Sequence, residues 1–251
     1  TATGTGGAAS RANGRDGMKQ GLKIMFGLPC ATGWYNTYVM TSIVNQLAYV
    51  LRGHHGITNA LVHNTLIHSA RNQIAVSAVE KEFDYLFFID SDCVIPEDTL
   101  ERLVEHDKDI VAGMYFGKVI PFPPIIYEKT DKDMYRHIMD YPENQLIEVD
   151  AVGMGCCLIK TEVLKHFVCD REMQYEDGHK EIKKVSYAFE PMPAPDSDQF
   201  AMGEDVAFCK RVQDAGYKIY VDTGLQCAHQ TVTYIDEEYY KRTRERMKAV
   251  K

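Results

Sequence analysis

Apolar and polar positions along this chain follow two periods that take turns. Short apolar runs rich in strand formers recur at Lys23 to Leu28 (KIMFGL), Ile57 to Val62, Tyr85 to Ile89 (YLFFI) and Ile110 to Gly113. Each is too short for a helix of ordinary length, so each reads as a buried strand. Between them the apolar positions repeat at three- and four-residue spacing. Tyr35 to Leu51 has this period and Gly53 as its stop, and Pro96-Glu97-Asp98 opens a third such stretch reaching about His106. The middle one runs from a cap at Asn64 or Thr65 to about Glu80, its apolar side being Leu66, Ile67, Ala70, Ile74, Ala78 and Val79. Strand and helix therefore alternate through seven elements. That order predicts an α/β fold with a mostly parallel central sheet flanked by crossover helices.

The pattern loosens after Tyr115. Prolines at 121, 123 and 124 and a Lys/Asp-rich stretch at 129–133 predict loops and one hairpin up to Val149. The segment Asp150-Ala-Val-Gly-Met-Gly-Cys-Cys-Leu-Ile-Lys160 predicts a turn into a buried strand, and Thr161 is placed to cap a short helix through about His166. A polar, Pro-rich stretch from Asp170 to Met202 reads as a functional lid or a disordered loop. Gly203-Glu204-Asp205 then opens a helix with Val206, Cys209 and Val212 inward and Gly216 as its stop. Tyr217 to Val221 is another strand, and Leu225 to Ala228 leads to His229.

Composition adds bounds. The chain has 251 residues, 45% hydrophobic and 25% charged, which is ordinary for a globular protein. Three regions are expected: an arm at 1–20 that is disordered or a remnant of expression, a domain at 21–235, and a basic helix at 236–251. No apolar run approaches the roughly 18 residues of a spanning helix. The net charge of −8 offers no broad footprint for nucleic acid. Seven cysteines without a Cys-x-x-Cys exclude a zinc ribbon by spacing and favour a reducing compartment, hence a cytoplasmic location.

Candidate chemistry centres on Phe87-Phe88-Ile89-Asp90-Ser91-Asp92. The chain holds four Asp-x-Asp triplets, and only this one follows a buried strand, at the carboxyl end where ligands of open α/β sheets sit. Alternating strand geometry would point both carboxylates to one side, where Mn²⁺ or Mg²⁺ could be shared with substrate phosphates. A solvated acidic turn is the plainer account. Gly153 and Gly155, around Met154, would let backbone approach a ligand closely. For Glu204 and Asp205 the helix dipole alone accounts for carboxylates in a first turn. No Gly-x-Gly-x-x-Gly follows the first strand and no Walker A lysine exists, so dinucleotide oxidoreductases and P-loop NTPases are poorly supported.

Taken in order, FFIDSD, VGMGCCLIKTEVL, GEDVAFCKRVQDAGYKIYVD and His229 resemble the GT-A fold of nucleotide-sugar glycosyltransferases, in particular family 2-like members from bacteria and phages. The resemblance spans roughly residues 22–232. It implies a metal-dependent transfer of a sugar from a nucleotide-diphosphate sugar, UDP-sugar foremost, to an acceptor hydroxyl. It implies a metal site of Asp90, Asp92 and His229, and a donor nucleotide site of Pro29, Cys30, Thr32, Arg71, Asn72, Asp90 and Ser91. Gly153, Met154 and Gly155 would border the sugar and acceptor. Asp205 would be the general base of an inverting reaction, Glu204 would hold hydroxyls, and Phe189, Phe200 and Met202 would belong to the acceptor lid.

The acceptor stays open between a carbohydrate and a hydroxylated DNA base of the phage type, for which the tail from Lys241 to Lys251 supplies basic residues. Strand two ends Val62-His63-Asn64, where a base-binding aspartate is common in the family, so the nucleotide is open as well. A haloacid-dehalogenase-type phosphohydrolase is a rival reading of Asp-x-Asp after an apolar strand, though here that strand is the third.

Overall fold

Alternation within the strands decides the layers. In Lys23–Cys30, Ile24, Phe26 and Leu28 face one way and Met25 the other; in Tyr85–Ile89, Tyr85, Phe87 and Ile89 oppose Leu86 and Phe88. Each side is a separate apolar core, the signature of a sheet covered on both faces. The computed structural model describes residues 21–31, 33–132, 134–194, 197–232, 235–241 and 244, with backbone only at 194 and 197–201. The expected arm at 1–20 and all but residues 236–241 and 244 of the expected basic helix lie outside them.

The central sheet has seven strands in the order Gly56–His63, Lys23–Cys30, Tyr85–Ile89, Cys156–Lys160, Ile110–Met114, Ile219–Gln226 and Leu146–Val149. The first three are mutually parallel, as are Ile110–Met114 and Ile219–Gln226. Cys156–Lys160 runs antiparallel between those two sets, and Leu146–Val149 runs antiparallel at the far edge. One face carries the helices Ile67–Glu80, Thr161–Lys165 and Glu204–Asp214; the other carries Thr37–Asn45, Leu47–Arg52 and Thr99–Glu105.

Several expectations change in detail. The helix expected over 35–51 is divided at Gln46, whose buried amide donates to the Ser42 and Pro96 carbonyls and accepts from Leu100 N–H. Neither Asn64 nor Thr65 caps the next helix: Leu66 stands at its N-cap, 67% exposed rather than on the apolar face. Thr161 lies inside its helix, after Lys160. The stretch expected as a lid is a hairpin, Val168–Gln174 with Lys180–Ser186, followed by a second pair, Met192–Ala194 with Ser197–Met202. Phe189, expected on that lid, is core, stacked on Phe208 at 4.5 Å and edge-on to Phe88 at 5.3 Å.

Candidate active site

The Tyr85–Ile89 strand stops before the two aspartates, and this separates them. Asp90 N–H donates to the Gly155 carbonyl at 3.0 Å, and the Asp90 carbonyl accepts from Cys93 N–H at 3.1 Å. Residues 90–93 form a turn, so the same-side geometry of a strand no longer holds. Asp90 faces the helix Ile67–Glu80, where Arg71 Nη2 lies 3.0 and 3.2 Å from its two oxygens. Burial raises the Asp90 pKa against the downward pull of that guanidinium. Ser91 sits in the turn, partly exposed.

Asp92 points elsewhere. Its Oδ2 accepts from Lys118 Nζ, and its Oδ1 lies 3.4 Å from His229 Nε2. The short strands Cys93–Val94 and Ala228–His229 pair antiparallel, and Gln230 N–H donates to the Asp92 carbonyl at 2.8 Å, which fixes the histidine beside the carboxylate. His229 Nδ1 is 2.8 Å from the Phe116 carbonyl. A carbonyl only accepts, so Nδ1 carries hydrogen and Nε2 presents either a lone pair or a second proton to Asp92. Two acceptors facing each other require a cation or proton between them. Burial pushes the Asp92 carboxyl up, but hydrogen bonds from His229 and Lys118 outweigh it and hold the group at about 2.

The third part of the cluster meets a different nitrogen of Arg71. Arg71 Nε is 3.6 Å from Glu204 Oε1, and only 2% of the Arg71 side chain is exposed. Asp205, next along the helix start, accepts from the Met154 N–H. Burial, then the neighbouring Glu204 carboxylate, push Asp205 up to about 6, with Arg71 opposing. A single buried guanidinium thus stands among Asp90, Glu204 and Asp205.

Tyr115 closes the floor. Its Oη accepts from Gly155 N–H at 3.0 Å, and its ring meets His229 edge-on at 5.3 Å. A Cβ at Gly153 would fall 1.9 Å from that Oη, so glycine is required there by close approach, while one at Gly155 would lie 3.0 Å from Tyr115 Cζ and 3.2 Å from Asp90 Oδ2, a tight contact only. Gly153→Ala is expected to cost about 1–3 kcal/mol of stability through overpacking. Urea denaturation tests this, and an unchanged midpoint would show that Tyr115 yields without cost.

Other expected residues divide. Pro29 and Cys30 end the first strand and are buried; the Pro29 carbonyl accepts from Tyr35 Oη at 3.3 Å and Cys30 Sγ donates to Trp34 O at 3.3 Å. A Cβ at Gly33 would lie 3.8 Å from Asn64 Oδ1, which sets this loop against the His63-Asn64 end of the edge strand. Thr32 lies outside the described residues, and of Phe200 only the backbone is described. Met154 is buried and reaches the site through its backbone alone. Asn72 is not brought to the cluster: its amide donates to Glu190 Oε1 at 2.9 Å and its carbonyl accepts from Phe189 N–H at 3.0 Å. Among the described residues, no three His, Cys, Asp or Glu side chains converge as a metal cage, so Asp90 does not complete a set with Asp92 and His229. Sequence reasoning missed Tyr115 and Lys118. Both follow the Ile110–Met114 strand, in a stretch the sequence reads only as loop.

The model described as Glycosyl transferase family 2 matches residues 57–167, a stretch holding Arg71, Asp90, Asp92, Tyr115, Gly153 and Gly155. No curated protein matches the chain. Among solved structures, A197 from STIV is 21% identical with a TM-score of 0.51, covering 86% of this chain and 87% of its own. Fainter likeness extends to GalNAc-T7 with UDP, GalNAc and Mn²⁺ (9% identity, TM-score 0.44, 84% of this chain, 44% of that one). It extends also to a mutant of the Drosophila β1,4-galactosyltransferase 7 in complex with manganese, UDP-Gal and xylobiose (13%, 0.43, 88% and 79%). The match over residues 57–167 makes this part of the chain similar to family 2 glycosyltransferases, and the likeness to A197 shows a shared α/β fold of the expected GT-A, Rossmann-like kind. No helix among the described residues is long and apolar enough to cross a membrane.

Proposed function

We propose that this enzyme moves a sugar from a nucleotide-diphosphate sugar, UDP-sugar first among them, to an acceptor hydroxyl, with inversion, using a divalent cation and Asp205 as general base. The observation that carries the reading is the division of the carboxylates by environment. Asp92, held at about 2, keeps its charge and faces His229; Asp205, at about 6, is poised to take a proton near neutrality.

Asp92 and His229 are the residues that would hold Mn²⁺ or Mg²⁺. They fit it as a carboxylate oxygen and an imidazole nitrogen, with the remaining positions left to phosphate oxygens and water. When bound, the cation stabilises the negative charge that develops on the departing diphosphate. The chain's own residues do the rest. His229 is oriented by the Phe116 carbonyl. Arg71 holds Asp90 in place through both of its oxygens, and Asp90 is proposed to meet the nucleoside. The strand end at Pro29 and Cys30, with residues 33–35 against His63 and Asn64, is proposed as the nucleoside wall. Gly153 and Gly155 let Tyr115 pack close as the floor beneath the sugar, Glu204 orients hydroxyls, and Asp205 Oδ accepts the acceptor's proton as the hydroxyl attacks. No observation among the described residues favours a DNA base, so a carbohydrate hydroxyl is the acceptor class proposed. The family match sides with transfer over phosphohydrolysis.

Calorimetry with UDP and Mn²⁺ tests the metal pair. Asp92→Ala and His229→Ala are each expected to weaken metal-dependent UDP binding by at least about tenfold. Unchanged affinity in both variants would remove the cation from these residues.

A further inference from the structure

One charged contact in the site has no role in the reaction described above. Lys118 Nζ donates to Asp92 Oδ2, the carboxylate proposed to receive the cation, while His229 holds the other oxygen. We propose that Lys118 is a built-in counterion: it neutralises Asp92 in the free enzyme from the oxygen that His229 does not face, lets go when metal binds, and then turns to the donor's diphosphate. The proposal rests on the reading of Asp92 and His229 as the metal pair.

The anchoring of Lys118 supports the first half. The loop after Gly117 is closed by Gly117 N–H to the Pro123 carbonyl at 2.8 Å and Phe122 N–H to the Val119 carbonyl at 2.7 Å. Phe116, just before it, fixes His229 through its carbonyl. The root of Lys118 is therefore held in register with the histidine, while its four-carbon stem leaves the ammonium free to swing. About a third of each side chain is exposed, 34% for Lys118 and 38% for Asp92. An ion pair so open to water is worth at most about fivefold in an equilibrium constant, weak enough for a divalent cation to displace.

Electrostatics supplies the second half. Once the metal has neutralised Asp92, the ammonium needs another anion. Asp90 is already taken by Arg71 on both oxygens. The diphosphate held by the same metal would be the anion within reach, and lysine binds phosphate as a mobile point charge.

Two binding measurements on the intact chain test this. In the first, Mn²⁺ alone is titrated into wild type, Lys118→Gln, Lys118→Arg and Asp92→Ala. Lys118→Gln is expected to bind Mn²⁺ about two- to fivefold more tightly than wild type, because the opposing ammonium is gone. Lys118→Arg should stay near wild type. In the second, magnesium pyrophosphate stands in for the donor's diphosphate, and Lys118→Gln is expected to bind it about tenfold more weakly. If Mn²⁺ binding is lost in Asp92→Ala but equal in wild type and Lys118→Gln, the counterion role is overturned while the metal pair stands. If Asp92→Ala binds Mn²⁺ as wild type does, the metal pair fails and takes this proposal with it. Unchanged pyrophosphate affinity in Lys118→Gln would overturn the transfer to diphosphate.

Discussion

Asp205→Asn is expected to lower kcat by about 10²–10⁴-fold while leaving UDP-sugar affinity within about threefold of wild type. The amide keeps the size of the side chain and can still accept the Met154 N–H, so the floor of the site is preserved. What it loses is the ability to take a proton. In the wild type, kcat/KM should rise with pH through about 6, the value at which burial and Glu204 leave Asp205, and level off above it. Stability moves in the opposite sense. A carboxyl raised from about 3.9 to about 6 binds its proton more tightly when folded, so its contribution is complete below about pH 4 and is lost as pH rises through about 6. Asp205→Asn should therefore be more stable than wild type at pH 8, by about 1–3 kcal/mol, and nearly equal to it in acid. Urea denaturation at both ends of that window checks the sign, and a variant less stable than wild type at pH 8 would show that the carboxylate is a structural asset.

The second large effect is expected at Arg71. Arg71→Met keeps the volume against Phe88, over whose ring the guanidinium carbon sits at 5.3 Å, but removes the buried positive charge that opposes Asp90 and Glu204. Breaking such a pair from one side costs about 3–5 kcal/mol, since the remaining carboxylate is left buried without compensation. Arg71→Lys should recover part of this. An ammonium supplies charge, but it lacks the planar guanidinium whose separate nitrogens meet Asp90 and Glu204. Thermal denaturation of the two variants orders them, and equal losses would mean that geometry, not charge, is what Arg71 contributes.

The order of strands and helices was legible because the apolar runs and helical periods survive in a single sequence, and both faces of the sheet bury what they predict. Boundaries were less so. Gln46 divides a helix through a tertiary hydrogen-bond set with Pro96 and Leu100, fifty residues away in sequence. The 168–186 hairpin is polar on both faces, so it lacks the alternation that marks a half-buried strand. Within the site, Asp90, Asp92, Glu204, Asp205 and His229 stand out by residue type and order. Their partners do not. Whether two aspartates share a cation or part company depends on where the strand stops, and Ile89 gives no sign of being the last residue in register. Arg71 lies on a helix face that periodicity reads as apolar, where a buried guanidinium is invisible without its carboxylates. Asn72, beside it, looked equivalent and is instead tied to Glu190 and Phe189. Tyr115 and Lys118 reach the site from an irregular stretch whose path no spacing rule predicts.

The central claim is a division of labour: Asp92 and His229 hold the donor through a cation, and Asp205 removes the acceptor's proton. The most direct measurement is transfer from a UDP-sugar at neutral pH with Mn²⁺, read as released UDP with an acceptor present, together with donor binding in the same preparations of wild type and Asp205→Asn. The account predicts that Asp205→Asn binds donor as wild type does and releases UDP at least about 100-fold more slowly. Release near the wild-type rate from Asp205→Asn, or release by wild type that persists undiminished in EDTA, would contradict it.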